Sequence, residues 1–486
     1  MSLTGALSNA LSGLTANSRK AGLVSSNISN ATTESYGRRV LELSPRSSGT
    51  SGGVWIDGVV RLEDAAVLSD RRLSDAQSGF ADSLQSYATE VETLFGASGA
   101  AGSLTERYAT FENALLTASS DPASTQRLDA VALAAQDLAA KLTVISAGVQ
   151  SARTEADTAI ATQVEALNSA LSRVDRLNVA ISDTVLRNGD ASSLMDERQR
   201  VIDSVSGIVP LRSVQRDRGM VALYAGSGTV LLDPDINSAP AVLGFTPVAT
   251  VISDMTQDNG LLSGITLNGR AIRANNAGPL GGGTLGAQLL IRDEAGVATQ
   301  VALDALARDL IDRFGPGGPD ATLGATDAGL FTDAGLAFDP GDETGIAGRI
   351  RINALVAPGG AGSWRLRDGL GAAATGAVGD ATLINGYADA LEALRTPASI
   401  ALGTGPKSFG QHVADLQSQV AMSRVRADSE QSFSRAQNTA LRELELSKGV
   451  DTDAELQDLM LIEQHYAANA RVMTVVDELM QRLLNI

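Results

Sequence analysis

Apolar residues recur at alternating spacings of four and three at both ends of this chain, which constrains its fold more than any other feature. At the N-terminus the series is Leu3, Leu7, Ala10, Leu14, Asn17, Ala21, Val24 and Ile28. At the C-terminus it is Leu459, Ile462, Tyr466, Asn469, Met473, Val476, Met480 and Leu483. This rhythm winds a seam around a helix slowly enough for two helices to pack along their whole length. Each seam holds one Asn, Asn17 or Asn469, a polar position of the kind that fixes register at some cost in stability. The outer faces are unusual. Over residues 1–35 the only charges are Arg19, Lys20 and Glu34, whereas a helix facing water normally carries Lys and Glu there. The ends therefore read as a coiled coil packed on several sides by close neighbours, as in a polymer, with seams that become dry only on assembly.

Composition narrows the classes. A chain of 486 residues has a prior of roughly two to four domains. A formal charge of −18 argues against nucleic acid, whose phosphates require clustered Lys and Arg. No run of 18 apolar residues marks a membrane span, and no basic start with a continuous apolar stretch marks a secretory signal. Cysteine is absent, which removes disulfides, thiolate nucleophiles and cysteine metal sites together.

Most of the 49 glycines and 13 prolines fall between residues 207 and 410. Outside that stretch long helices are allowed, and periodicity predicts them at 63–95, 104–119, from Asp121-Pro122 to about Leu186 with a potential kink at Gly148, at 192–206, and from Ser408 to about Ser447. Gly449 ends the last of these, and Asp451 or Asp453 caps the terminal helix. Short strands are predicted at 208–214, 220–224, 229–232, 248–252, 265–267 and 349–355, with one helix at about 297–314. The fold class is mainly α with a β-rich insertion (α+β). Pairing of the ends requires discontinuous domains nested like brackets: 1–40 with 450–486 as the terminal coiled coil, 41–206 with 385–449 as a helical domain, and 207–384 as a β-rich outer insertion. An outer domain of that kind should be dispensable for assembly.

Several motifs fit one family. Ser26-Asn27-Ile28-Ser29-Asn30, followed by Tyr36-Gly37-Arg38, resembles the axial signature N-N-I-A-N leading into G-Y-[ST]-R. Ser447 to Asp451 and Tyr466 to Val472 resemble S-G-V-[ND] and Y-x-A-N-A-x-V, the latter containing Asn469. Three internal stretches add specificity: Gly53-Val54-Trp55 with Val60-Arg61 and Asp64; Leu194-Met195-Asp196-Glu197-Arg198; and Gly282 to Gly286 with Arg292-Asp293. Together they resemble the flagellar axial proteins, and within them the hook-associated family of the hook–filament junction. Ser35, Gly37 and Lys448 depart from the usual pattern, and Phe314 to Gly318 replaces its N-x-x-H segment. The resemblance implies a structural subunit exported unfolded through the flagellar type III apparatus, without a cleaved signal peptide. It would assemble outside the cell as a ring-like homo-oligomer, with the hook protein on one side and a neighbouring hook-associated protein on the filament side. An export chaperone on the C-terminal helix is implied likewise, as are the motif residues Asn27, Ile28, Asn30, Tyr36, Arg38, Asp196, Arg198 and Asn469. The alternatives are a hook or rod-type axial protein, or a surface enzyme or adhesin carried by the insertion.

Catalytic patterns are weak. His412 and His465 read as surface or interface residues without metal-ligand spacing. Gly49-Thr50-Ser51-Gly52-Gly53 satisfies G-x-S-x-G but lacks the strand-to-helix context of a nucleophile elbow. Gly226-Ser227-Gly228 is too short for a dinucleotide site. Asp233, Asp235 and Asn237 imitate a calcium loop whose Gly and final Glu are missing, and Asp451, Asp453 and Glu455 read as helix-capping residues. Catalytic, cofactor and metal residues are accordingly expected to be absent.

Overall fold

The computed structural model describes residues 3–46, 52–236, 239–273, 275 and 278–484. Helix α1 (Leu3–Ser29) leads through a turn into an antiparallel hairpin, β1 (Arg38–Pro45) and β2 (Val54–Leu62). Helix α2 (Ala65–Phe95) starts at Asp64, whose carboxylate accepts from the amides of Ala66 and Val67; α3 (Leu104–Ser119) starts at Ser103 in the same way. These caps satisfy amides that the first helical turn leaves without partners.

Helix α4 (Thr125–Leu186) runs unbroken for 62 residues. Its N-cap is Ser124, one short turn beyond the Asp121-Pro122 signal. Gly148 does not kink it. A Cβ there would lie 2.4 Å from Leu94 Cδ1, so the glycine serves a close approach between α2 and α4. An 18-residue window of α4 is long and apolar enough for a membrane span, but half of it is buried inside the molecule; α4 is the axis of the core.

After α5 (Ser192–Asp203), strands β3 (Leu211–Gln215), β4 (Val221–Ala225) and β5 (Val230–Leu232) form an antiparallel sheet. Strands β6 (Leu243–Gly244), β7 (Thr266–Leu267) and β8 (Arg270–Ala271) form a second. The strand expected at 248–252 does not form. Its amides are drawn to α4 side chains, Val248 N to Asp157 Oδ2 (2.7 Å) and Val251 N to Thr154 Oγ1 (3.0 Å), so no ladder is left to build.

The helix expected at 297–314 is longer than its periodicity suggests. Helix α6 (Gly283–Leu290) passes through one π-helical turn at 291–295 into α7 (Gly296–Phe314). Its start is docked on the segment after α5: Thr284 and Leu285 amides donate to the Gly207 and Ile208 carbonyls. A Cβ on Gly283 (φ +71°) would sit 2.4 Å from the Ile208 carbonyl oxygen, so only glycine fits. Beyond it come β9 (Phe331–Asp333), α8 (Ile346–Arg349), β10 (Ile350–Ile352), α9 (Arg365–Asp368) and α10 (Thr382–Glu392), then α11 (Phe409–Ser447) and α12 (Thr452–Leu484). Ser408 and Gln411 form a reciprocal capping box on α11. Asp451 caps α12, accepting from the amides of Asp453 and Ala454.

Two cores result. The first joins α3, the first half of α4, α7, α10 and the start of α11 around Phe111, Phe314, Phe331 and Tyr387, whose neighbouring ring centroids lie 5.3–5.8 Å apart. The second joins the later half of α4 with α5, the β3–β5 sheet and α6. Strands β3 to β10 all lie within 207–384, so the insertion is where the β-structure concentrates. The boundary expected at residue 207 is nevertheless not a boundary between cores. Leu303, Leu306, Leu310, Phe314, Phe331 and Ile350 complete the first core with α3 and α4.

Candidate assembly interface

The two termini pair as antiparallel helices. Near the middle of the pair, Gly13 of α1 meets Asn469 of α12, and a Cβ on that glycine would lie 2.9 Å from Asn469 Nδ2. Towards one end Lys20 Nζ is 3.9 Å from Asp458, and Asn27 Nδ2 donates to Glu455 Oε2 at 3.1 Å. Ala10, Val24, Ile462 and Val476 are buried in the seam. Leu3, Leu14, Asn17, Ala21, Ile28, Leu459, Asn469 and Met473 are half-buried, while Leu7, Tyr466, Met480 and Leu483 are exposed. Burial of these four seam positions therefore needs no second chain, contrary to the expectation that the seam dries only on assembly. Among the described residues no side-chain hydrogen bond joins Asn17 or Asn469 to the opposite helix. Helix α1 has a second covered side: Ala16 is buried, and Ser12 Oγ accepts from the Val54 amide of the hairpin.

The motif residues converge on one polar latch at the base of this pair. Asn27 Oδ1 accepts from the Arg39 amide and from Tyr36 OH, both at 3.0 Å, while its Nδ2 donates to the Arg39 carbonyl and to Glu455. Asn30 Nδ2 closes the turn on the Ser26 carbonyl. Arg38 Nε reaches Glu455 Oε1 at 2.6 Å. From the hairpin the network enters the body through Asp196 on α5, which accepts from the Gly37 amide (3.0 Å), Arg39 (2.7 Å) and Arg61 (2.8 Å); Arg61 also holds Gln199 and Glu63. Arg198 points the other way, bonding Asn178 Oδ1 and the Gly219 carbonyl, and its burial pulls the guanidinium down to about 10. The network continues to α11: Arg71 bridges Asp75, Asp203 and Glu445. Burial would lift the Asp75 carboxyl, but Asn438, Arg71 and Ser206 together hold it below its ordinary value. Sequence reasoning named Asn27, Tyr36, Arg38 and Asp196 through the motifs. It took Glu455 for a capping residue and had no signal for Arg39.

Beyond the seam, α12 presents an apolar face to the outside: Leu456, Met460, Leu461, Val472, Val475 and Leu479 are all exposed. Other sequence candidates have structural roles. His412 is buried rather than superficial, and burial lowers its pKa; His465 is exposed. Asp233 is buried against Arg216 and Tyr224, so its carboxylate is spent on an ion pair. Gly226 to Gly228 is the turn between β4 and β5, with Gly228 at φ +86°. Ser51, Asn237 and Ser238 lie outside the described residues.

Residues 88–315 match the family model described as flagellar hook-associated protein FlgK helical domain. Residues 446–486 match flagellar basal body rod FlgEFG protein C-terminal. The chain is 25% identical to flagellar hook-associated protein 1 of Bacillus subtilis (strain 168) over 492 residues, covering 94% of this chain and 93% of that protein. It is 23% identical to the protein of the same name from Escherichia coli (strain K12), with 99% of each covered. The solved flagellar hook junction protein FlgK of Burkholderia pseudomallei aligns with 54% of this chain and 46% of its own, at 17% identity and a TM-score of 0.44. The chain belongs to the flagellar hook-associated proteins. Its role is structural rather than enzymatic, as a component of the flagellum.

Proposed function

We propose that this chain is the junction subunit between hook and filament, assembled as a ring-like homo-oligomer through its terminal helix pair. The observation that carries this reading is the exposed apolar face of α12 on a pair whose seam is already partly buried. Large apolar side chains exposed together on one helix mark an interaction site. The names of the related proteins support a place beside the hook, with the hook protein and a filament-side hook-associated protein as neighbours. Type III export in an unfolded state, to the outside of the cell and without signal cleavage, belongs to the same reading. So does an export chaperone on α12, because that face requires cover before assembly. Residues 1–40 with 450–486 form the assembling unit, with the half-buried and exposed seam residues completed by neighbouring copies.

The test substitutes Val475→Asp and Leu479→Asp on the outer face of α12. Melting of the isolated chain should stay within ~0.5 kcal/mol of wild type, as for surface positions. Filaments should detach or fail to grow in cells carrying either variant. Normal attachment with both variants would refute assembly through this face.

A further inference from the structure

The heptad rhythm that ends at Leu459 continues one step further back, to a charged residue. Four residues before Leu459 stands Glu455, at the next position of the same seam. Its side chain is fully buried, between α1 and α12. Two donors hold the carboxylate, Asn27 Nδ2 at 3.1 Å and Arg38 Nε at 2.6 Å. Asn27 is itself buried and has both ends of its amide engaged, by Glu455 and by the Tyr36 hydroxyl and Arg39 backbone. Each member is therefore fixed by another whose position is set by the turn after α1.

Apolar burial alone leaves the register of such a pair underdetermined. Moving one helix by seven residues returns Leu, Ile, Val, Met and Ala to seam positions, so the transfer energy changes little. The two seam asparagines do not settle the matter, because neither bonds across the pair. A buried carboxylate is different: away from Asn27 and Arg38 it is desolvated without its donors. A one-heptad slip inward sets Glu455 level with Lys20 and takes that lysine from Asp458. The opposite slip sets it level with Glu34, beyond the end of α1. We infer that Glu455, held by Asn27 and Arg38, is the pin that selects a single register for the terminal pair and anchors that register to the hairpin. This inference does not depend on the junction reading, since it concerns the pairing within one chain.

The native sequence has no cysteine, so introduced pairs report register cleanly. In the full-length chain, Gly13→Cys with Asn469→Cys reports the register described here, because the two positions are in contact. Ala6→Cys with Asn469→Cys reports the one-heptad slip. With Glu455 intact, the first pair should form disulfide in at least about hundredfold excess over the second, in line with the cost of misplacing a buried charge. Adding Glu455→Leu, which makes the seam position apolar, should reduce that excess to about tenfold or less. Glu455→Gln keeps the size of the side chain and should fall between. An excess that survives both substitutions would overturn the inference and assign register to apolar packing. So would loss of both crosslinks in Glu455→Leu with an unchanged excess in Glu455→Gln, which would make Glu455 a stabiliser of the pair only. Absence of any preference in the parent chain would overturn it as well.

Discussion

The first core and the terminal pair use the same material, apolar seams on long helices, with opposite results. In the core, α4 is touched on several sides, and Leu138, Leu142 and Ile145 are fully buried together with Phe111 and Phe314. In the terminal pair, among the described residues, α12 is covered along the side that meets α1, where Ile462 and Val476 are buried, while Leu461 and Val475 are exposed. The difference lies in the number of neighbours rather than in residue type. A helix with one neighbour cannot bury more than a stripe. The body is finished within one chain, and the ends leave part of their apolar surface uncovered.

Deleting residues 207–384 should break this contrast most severely. It removes α6, α7 and half of the aromatic cluster, so the loss should exceed the ~5–15 kcal/mol that holds a typical domain together. Circular dichroism should show no cooperative melting, and a stable truncated body would mean that the two cores are independent of the insertion. Phe314→Ala comes next, at ~3–5 kcal/mol for an emptied aromatic site, read as a fall in melting temperature with α1 and α12 unaltered. Asp196→Ala strands Arg39, Arg61 and the Gly37 amide at once. It should cost ~2–4 kcal/mol and raise hydrogen exchange in residues 30–39 more than in α3 or α7. Equal exchange everywhere would show that the latch does not join the two regions.

A smaller effect concerns pH and only the body. Burial lifts the Asp304 carboxyl to about 6, although Ala347, Gly345 and Gln300 all donate to it. The folded state then binds its proton more tightly than the unfolded chain. Its contribution to stability is full below the unfolded value of 3.8 and is lost as pH rises through about 6. Melting scans between about pH 4 and 7 should show this decline, and Asp304→Asn should flatten it. A slope unchanged by Asp304→Asn would assign it to other groups.

Much of the body was legible because helices announce themselves by period and by caps. Leu104 to Ser119 and the helix start at Ser408 fall where the pattern put them. The start of α6 carried no capping signal, and Gly283 there serves a close backbone approach to Ile208. The strand expected at 248–252 was lost to Asp157 and Thr154, partners more than 90 residues away. The latch was half legible. Motif positions marked Asn27 and Asp196, but Glu455 resembles any acidic residue in a first helical turn until α1 is laid against it.

The contact between Asn27 and Glu455 spans 428 residues of sequence, and that separation is also a clock. Closing so long a loop in a disordered chain costs about 5 kcal/mol, which one seam of a few buried aliphatics hardly offsets. Once the body has folded, however, short connections from α1 and to α12 are all that remain to be ordered, and most of that cost is gone. The ends therefore zip last, after everything between them is in place. A chain delivered N-terminus first keeps α1 single until the 33 residues of α12 have emerged, so only a complete molecule can present a paired end.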